Sequence, residues 1–213
     1  MRQMTSVEAV ERAELVVVQR GPELPPPAWQ ELLSGLPLTE RRRIEGMRRW
    51  EDRQDSAMGW QLLHQLAAER GVSLRRSANG RPCCDPPVDV SLSHGGGWIA
   101  VAASETGRIG IDVETLREVP PALARRCLSA AELAWVEQAP WRPPSLRFFQ
   151  LWTAKEAYLK AIGVGLAVDP RDISIDCTGV EPRIGGAAAG RWRLSASTPA
   201  PGVCVTVCSE LAP

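Results

Sequence analysis

The segment Ile109-Gly110-Ile111-Asp112-Val113-Glu114 places apolar side chains at alternate positions. Successive side chains of an extended chain point to opposite faces, so this period predicts a β-strand. It puts Asp112 and Glu114 together on one face and leaves the apolar residues to find a core on the other. Neighbouring carboxylates repel unless solvent or a cation comes between them. Two readings follow: a solvated strand face, or a pair of oxygen ligands suited to a hard ion, Mg²⁺ or Mn²⁺.

A second segment carries the chain's only two lysines: Phe149-Gln150-Leu151-Trp152-Thr153-Ala154-Lys155-Glu156-Ala157-Tyr158-Leu159-Lys160. Every other basic position is arginine, whose fork suits carboxylates and phosphates; a compact, movable ammonium is a different tool. In a helix Trp152, Glu156 and Lys160 follow one another at i, i+4 and share a face. Lys155 lies about 100° around the helix. The segment reads either as an amphipathic core helix with ordinary charges or as a place for phosphate or proton chemistry.

The pattern G-I-D-V-E followed by W-T-A-K-E-A-Y-L-K resembles the signature of the 4′-phosphopantetheinyl transferases. Upstream, Asn79-Gly80-Arg81-Pro82 and Val90-Ser91-Leu92-Ser93-His94-Gly95 resemble a third stretch of the same signature, in the right order. Chain length and flanking residues resemble the larger, surfactin-synthetase-activating type. The resemblance implies an α+β fold of two similar α/β halves related by a pseudo-twofold axis, with the active site in the cleft between them. It divides the chain into 1–108, supplying nucleotide contacts, and 109–213, supplying the metal-binding and transfer motifs. A chain carrying both halves of the site is expected to be a monomer.

The implied activity is that of a holo-[acyl-carrier-protein] synthase, or 4′-phosphopantetheinyl transferase. It moves 4′-phosphopantetheine from coenzyme A to a serine of an apo acyl or peptidyl carrier protein and releases 3′,5′-ADP. A diphosphate resists anionic attack, so a metal is needed to neutralise its oxygens. Asp112, Glu114 and Glu156 resemble the family's metal-binding trio, with Mg²⁺ or Mn²⁺ as the cofactor. Glu156 is the candidate base, directly or through a metal-bound water. Lys160 is expected to stabilise charge on the departing nucleotide. Lys155 is expected to make a second phosphate or nucleotide contact, or to support Glu156. His94, Ser93 and Arg81 belong to the implied nucleotide contacts. Arg41 and Arg43 join them if they are not simply an exposed helix face.

One position departs from the family pattern. Asp55 stands where the family often has an arginine facing the 3′-phosphate, and an aspartate there would repel it. Arg48 or Arg49 could compensate, whereas Arg53 lies on another helical face. This departure is what supports an alternative, a non-catalytic module that binds coenzyme A or a carrier protein. A second alternative is an esterase, because His94-Gly95-Gly96-Gly97 reads as an oxyanion motif. That reading lacks a G-x-S-x-G elbow, and the other histidine, His64, precedes the motif instead of following it.

Charge and composition narrow the partners. The formal net charge of the 213 residues is zero, so no global field points to nucleic acid. The opening residues show no charged-then-apolar signal region, and the longest apolar run there, Leu15 to Val18, is too short for a membrane. Six cysteines without a C-x-x-C pair, and only two histidines, argue against zinc and for reduced thiols. A cytoplasmic chain without a membrane partner is expected. The implied carrier would dock on Leu116 to Pro144, where Arg117, Arg125, Arg126 and Arg142 could meet its acidic surface.

The remaining pattern predicts a strand at Glu14–Val18 and a long helical region from Thr39 to Arg70 stopped by Gly71. It predicts strands at Val88–Ser93 and Trp98–Ala103, and a capping box at Ser129–Glu132. A helix from Phe149 to Ile162 ends at Gly163. Closing strands are expected at Asp172–Asp176, Trp192–Ser195 and Val203–Cys208.

Overall fold

The computed structural model describes residues 4–5, 13–138, 143–179 and 181–211. The first half contains β1 (Met4–Thr5), β2 (Ala13–Gln19), α1 (Pro26–Ser34), α2 (Leu38–Glu45) and α3 (Trp50–Glu69). A short hairpin of β3 (Arg75–Arg76) and β4 (Pro82–Cys83) follows, then β5 (Asp89–Gly95) and β6 (Trp98–Ser104). The second half runs through β7 (Ile109–Thr115), α4 (Pro121–Cys127), α5 (Ala130–Gln138) and α6 (Pro144–Ile162). It closes with β8 (Ile175–Asp176), β9 (Arg183–Ile184), β10 (Trp192–Ser197) and β11 (Val203–Glu210).

Two antiparallel sheets organise these elements. One has the order β1-β2-β6-β5, the other β10-β11-β7. Each sets a face against one long helix, α3 in the first half and α6 in the second. The fold is therefore α+β, with two pseudo-symmetric halves and a cleft between them. The alternation read in residues 109–114 explains the assembly. Ile109, Ile111 and Val113 join Val203, Val205 and Val207 against Leu15, Val17, Ala100 and Ala102, forming a core shared by both sheets. The opposite face of β7, bearing Gly110, Asp112 and Glu114, is left to α6.

The seam between the sheets is made by side chains. Asp89, Ser91 and Ser93 lie on one face of β5, the edge of its sheet, and β7 is the edge of the other. Asp89 accepts the N–H of Ile109 at 2.9 Å and Ser91 Oγ accepts that of Ile111 at 3.0 Å. Buried strand-edge donors are thus satisfied without a continuous ladder.

Three expectations need correction. The helical region from Thr39 to Arg70 is two helices, because Gly46 ends α2 and α3 starts afresh at Trp50. Helix α6 begins at Pro144, five residues before Phe149. Proline at the first helical position has no N–H to leave unpaired, so the proline pair opens the helix. Asp172–Asp176 is largely irregular: a 3₁₀ turn at Pro170–Asp172 precedes the two-residue β8. The capping box at Ser129 and Glu132 forms, with both reciprocal hydrogen bonds in place.

Candidate active site

The glycine of G-I-D-V-E decides how closely α6 can lie on β7. A Cβ at Gly110 would come within 1.9 Å of Ala157 O and 2.5 Å of Ala161 N. Without a side chain there, the helix backbone rests directly on the strand. Glu156 and Lys160, on that side of α6, are thereby brought beside Asp112.

Lys160 Nζ donates to Asp112 Oδ1 at 2.6 Å and to Ile111 O at 3.1 Å. Ser93 Oγ donates to the same Oδ1 at 2.7 Å. Asp112 is 5 % exposed, and its other oxygen, Oδ2, is buried without a partner. Desolvation and the neighbouring Asp112 push the Glu156 carboxyl above its usual range, against the opposing pull of Lys160; Glu114 adds a smaller upward push. The three carboxylates therefore feel one another across one crevice. Glu114 Oε2 also accepts from Arg117 at 2.7 Å, and the Arg117 guanidinium lies 4.7 Å from the Phe149 ring centroid. Among the described residues, no three His, Cys, Asp or Glu side chains already stand as a metal-holding group.

The opposite wall is the β5–β6 hairpin. His94 and Gly95 end β5, and the turn is Gly96-Gly97, with φ of +58° and +82°. Positive φ at both central residues suits a tight hairpin. A Cβ on Gly96 would meet Thr115 Oγ1 at 1.8 Å, and one on Gly95 would meet Val113 O at 2.6 Å. The glycines after His94 thus let the hairpin tip lie on the end of β7, which accounts for a run that imitates an oxyanion motif. His94 stays open to solvent on one side. Crowding by the cleft walls presses its pKa down. Lys160 acts in the same direction, and Arg43 and Arg20 add less; Asp52 opposes them.

Arg43 is aimed by its neighbours. Its Nε donates to Glu40 at 3.0 Å and its Nη2 to Ser56 Oγ at 2.6 Å. Buried Glu40 also receives Arg76 through two nitrogens at 2.8 Å. Desolvation would raise the Glu40 pKa, but these two arginines outweigh it and hold the carboxyl below its usual range. Asp55 is buried and accepts from Arg20 Nη1 at 2.9 Å. Arg49, by contrast, pairs with Glu51 on the surface.

Several residues expected at the nucleotide are committed elsewhere. Lys155 is fully buried and directs its ammonium to Glu132 Oε2 at 2.6 Å, Pro170 O at 2.8 Å and Cys127 O at 3.2 Å. All three donors are used, so it ties α6 to the α4–α5 segment and to the backbone at Pro170. Arg41 binds the carbonyls of Leu36 and Ser34 at the end of α1. Arg81 is held by Asp89 and Ile109 O in the seam. The Ser93 hydroxyl serves Asp112. Arg142 lies outside the described residues. Arg20, Glu40 and Glu132 have no place among the residues singled out for chemistry; only the Ser129–Glu132 capping pattern hinted at the last.

Residues 108–208 match the family model described as the 4′-phosphopantetheinyl transferase superfamily. These residues include β7 and α6, the two elements that bring Asp112, Glu156 and Lys160 together. Over this stretch the chain is similar to the 4′-phosphopantetheinyl transferase superfamily. Among curated proteins, it is 30 % identical over 105 residues to the 4′-phosphopantetheinyl transferase gsp of Aneurinibacillus migulanus, covering 49 % of this chain and 44 % of that protein. It is 28 % identical over 200 residues to the transferase pptA of Paxillus involutus, covering 81 % and 76 %. It is 38 % identical over 94 residues to the transferase HetI of Nostoc, covering 43 % and 39 %. The chain thus spans less than half the length of the first and third of these proteins.

Among the described residues, no helix is long and apolar enough to cross a membrane. The six cysteines are free; four are buried, and burial pushes the Cys84 and Cys204 thiols up to about 11. Neither is set up as a nucleophile.

Proposed function

We propose that this chain transfers 4′-phosphopantetheine from coenzyme A to a serine hydroxyl of an apo acyl or peptidyl carrier protein, as the larger, surfactin-synthetase-activating members of the superfamily do. The observation that carries the reading is the Lys160–Asp112 contact at 2.6 Å beneath Glu156. A lysine is thereby stationed among carboxylates in a solvent-reached crevice.

The residues fit a hard cation. Asp112 Oδ2 is a buried oxygen without a donor, and Glu156 is crowded by like charge. Asp112, Glu114 and Glu156 would hold Mg²⁺, which would neutralise diphosphate oxygens and favour in-line displacement. Lys160 supplies a preorganised positive charge for the departing 3′,5′-ADP. Glu156 accepts the proton of the attacking serine, directly or through an intervening water. His94 and Arg43 bind the nucleotide phosphates from the other wall. The carrier docks beside Glu114, where Leu116, Val119, Ala124, Leu133, Val136 and Phe148 line an apolar hollow of about 540 Å³.

Incubation of a panel of purified apo carriers with the protein, coenzyme A and Mg²⁺ tests this. At least one carrier should gain the mass of phosphopantetheine, and EDTA should abolish the gain until Mg²⁺ or Mn²⁺ is restored. Coenzyme A binding without any mass gain would leave the non-catalytic module instead.

A further inference from the structure

The crevice beside His94 contains an ion pair that the transfer chemistry has not used. Arg20 lies just after β2, and its backbone N–H donates to Gly97 O at 2.9 Å. Its guanidinium donates to Asp55 at 2.9 Å and lies 4.9 Å from the Trp50 ring centroid. Gln54 secures the local backbone, donating to Arg20 O and Pro22 O and accepting from Leu24 N–H. A Cβ placed on Gly97 would stand 3.5 Å from Arg20 Nη2. The guanidinium is thus fixed at the tip of the hairpin that carries His94.

As a purely structural device this pair is poorly made. The side chains are 17 % and 6 % exposed. Arg20 Nε and Asp55 Oδ1 are both buried without partners. Buried ion pairs with unmet hydrogen-bonding capacity contribute little net stability, and each orphaned atom carries a desolvation cost. Around His94, meanwhile, positive charge converges from three separate elements: Lys160 of α6, Arg43 of α2 and Arg20 after β2. Asp52 is the acid acting on that imidazole, and Glu51 and Asp52 both act on Asp55. Forked guanidinium groups facing a neutral imidazole suit a phosphate with its acceptor oxygens.

Resting on the transferase reading, we propose that Arg20, oriented by Asp55, is a donor-specificity residue whose guanidinium contacts a phosphate monoester of the nucleotide lodged against His94. The aspartate at position 55 then does not weaken the pocket. It positions a cation that comes from the end of a strand instead of from α3. Arg20 is the binding residue in this scheme and Asp55 a positioning residue.

The experiment compares coenzyme A with dephospho-coenzyme A, which differs only in lacking the 3′-phosphate. Calorimetric titration gives the affinity of each for wild type, Arg20→Met and Asp55→Asn. Wild type should bind coenzyme A more tightly, and Arg20→Met should erase most of that preference, weakening coenzyme A about tenfold or more. Affinity of Arg20→Met for dephospho-coenzyme A should stay within about twofold of wild type. Asp55→Asn, which keeps an oxygen for Arg20, should lose less of the preference than Arg20→Met. Should Arg20→Met fold poorly because it strands a buried carboxylate, the double variant Arg20→Met/Asp55→Met removes both charges and reads the same two affinities.

Equal weakening of both nucleotides, or of neither, overturns the inference while leaving the transfer reaction untouched. Loss of inorganic phosphate binding alone, with both nucleotides unaffected, overturns it too. If wild type modifies no apo carrier yet shows the Arg20-dependent preference, the transferase reading falls and the phosphate contact stands. Wild type that binds neither nucleotide overturns both.

Discussion

Lys155 and Lys160 show how much a neighbour in sequence can differ in physical task. The ammonium of Lys155 is sealed among Glu132 and two carbonyls, whereas that of Lys160 borders the crevice on Asp112. Lys155→Met strands a buried carboxylate and should destabilise the fold by about 3–5 kcal/mol, seen as a lowered thermal midpoint. Lys160→Met should leave that midpoint nearly unchanged and lower kcat by about 10²-fold or more. Exchange of these two phenotypes would refute the assignment. Asp55 supplies a pH test. Desolvation raises its pKa to about 6 despite Arg20, from an ordinary 3.8. Between those values the folded state holds the proton more often than the unfolded chain, so this group's contribution to stability falls as pH rises through the window and levels off above it. The stability of wild type relative to Asp55→Asn should therefore decline from pH 4 to about 6 and stay flat to pH 8, as read from urea midpoints.

At the scale of elements, the site depends on backbone contact between α6 and β7. Gly110→Ala would drive a methyl into Ala157 O. The helix must then retreat, and overpacking of this kind costs about 1–3 kcal/mol. Because Glu156 and Lys160 move with α6 while Asp112 stays on β7, activity should fall further than stability. The check is kcat measured well below the variant's own thermal midpoint; wild-type turnover in a folded Gly110→Ala protein would show that close approach is not needed. Strand β7, the capping box, the Gly163 stop and the shared face of Glu156 and Lys160 were legible in the chain because each rests on local periodicity or a local cap. The break at Gly46 was hidden, since its neighbours are good helix formers and the glycine closes α2 through backbone bonds to Arg42 and Ile44. The roles of Lys155, Ser93, Arg41 and Arg81 were hidden for another reason: their partners come from distant segments, which no spacing rule anticipates.

For the whole molecule, the two sheets share one core, and both walls of the crevice come from a single chain. A monomer is therefore expected in sedimentation equilibrium across a wide range of concentrations; a concentration-independent trimer would contradict a site completed within one chain. The sequence by itself determined which side chains share a face, because D-x-E on a strand and K-E-x-x-x-K on a helix are patterns of period two and of i, i+4, set by backbone geometry alone. It also carried the resemblance to the 4′-phosphopantetheinyl transferases, through motifs whose order survives in the linear chain. Only the tertiary structure decided which charges remain available. Ser93 bonds to Asp112 across the seam, Lys155 disappears into an ion pair with Glu132, and Arg20 meets Asp55 across 35 positions. Burial and pairing set whether a charged side chain is a tool or a tie, and both are properties of elements that come together only when the chain has folded.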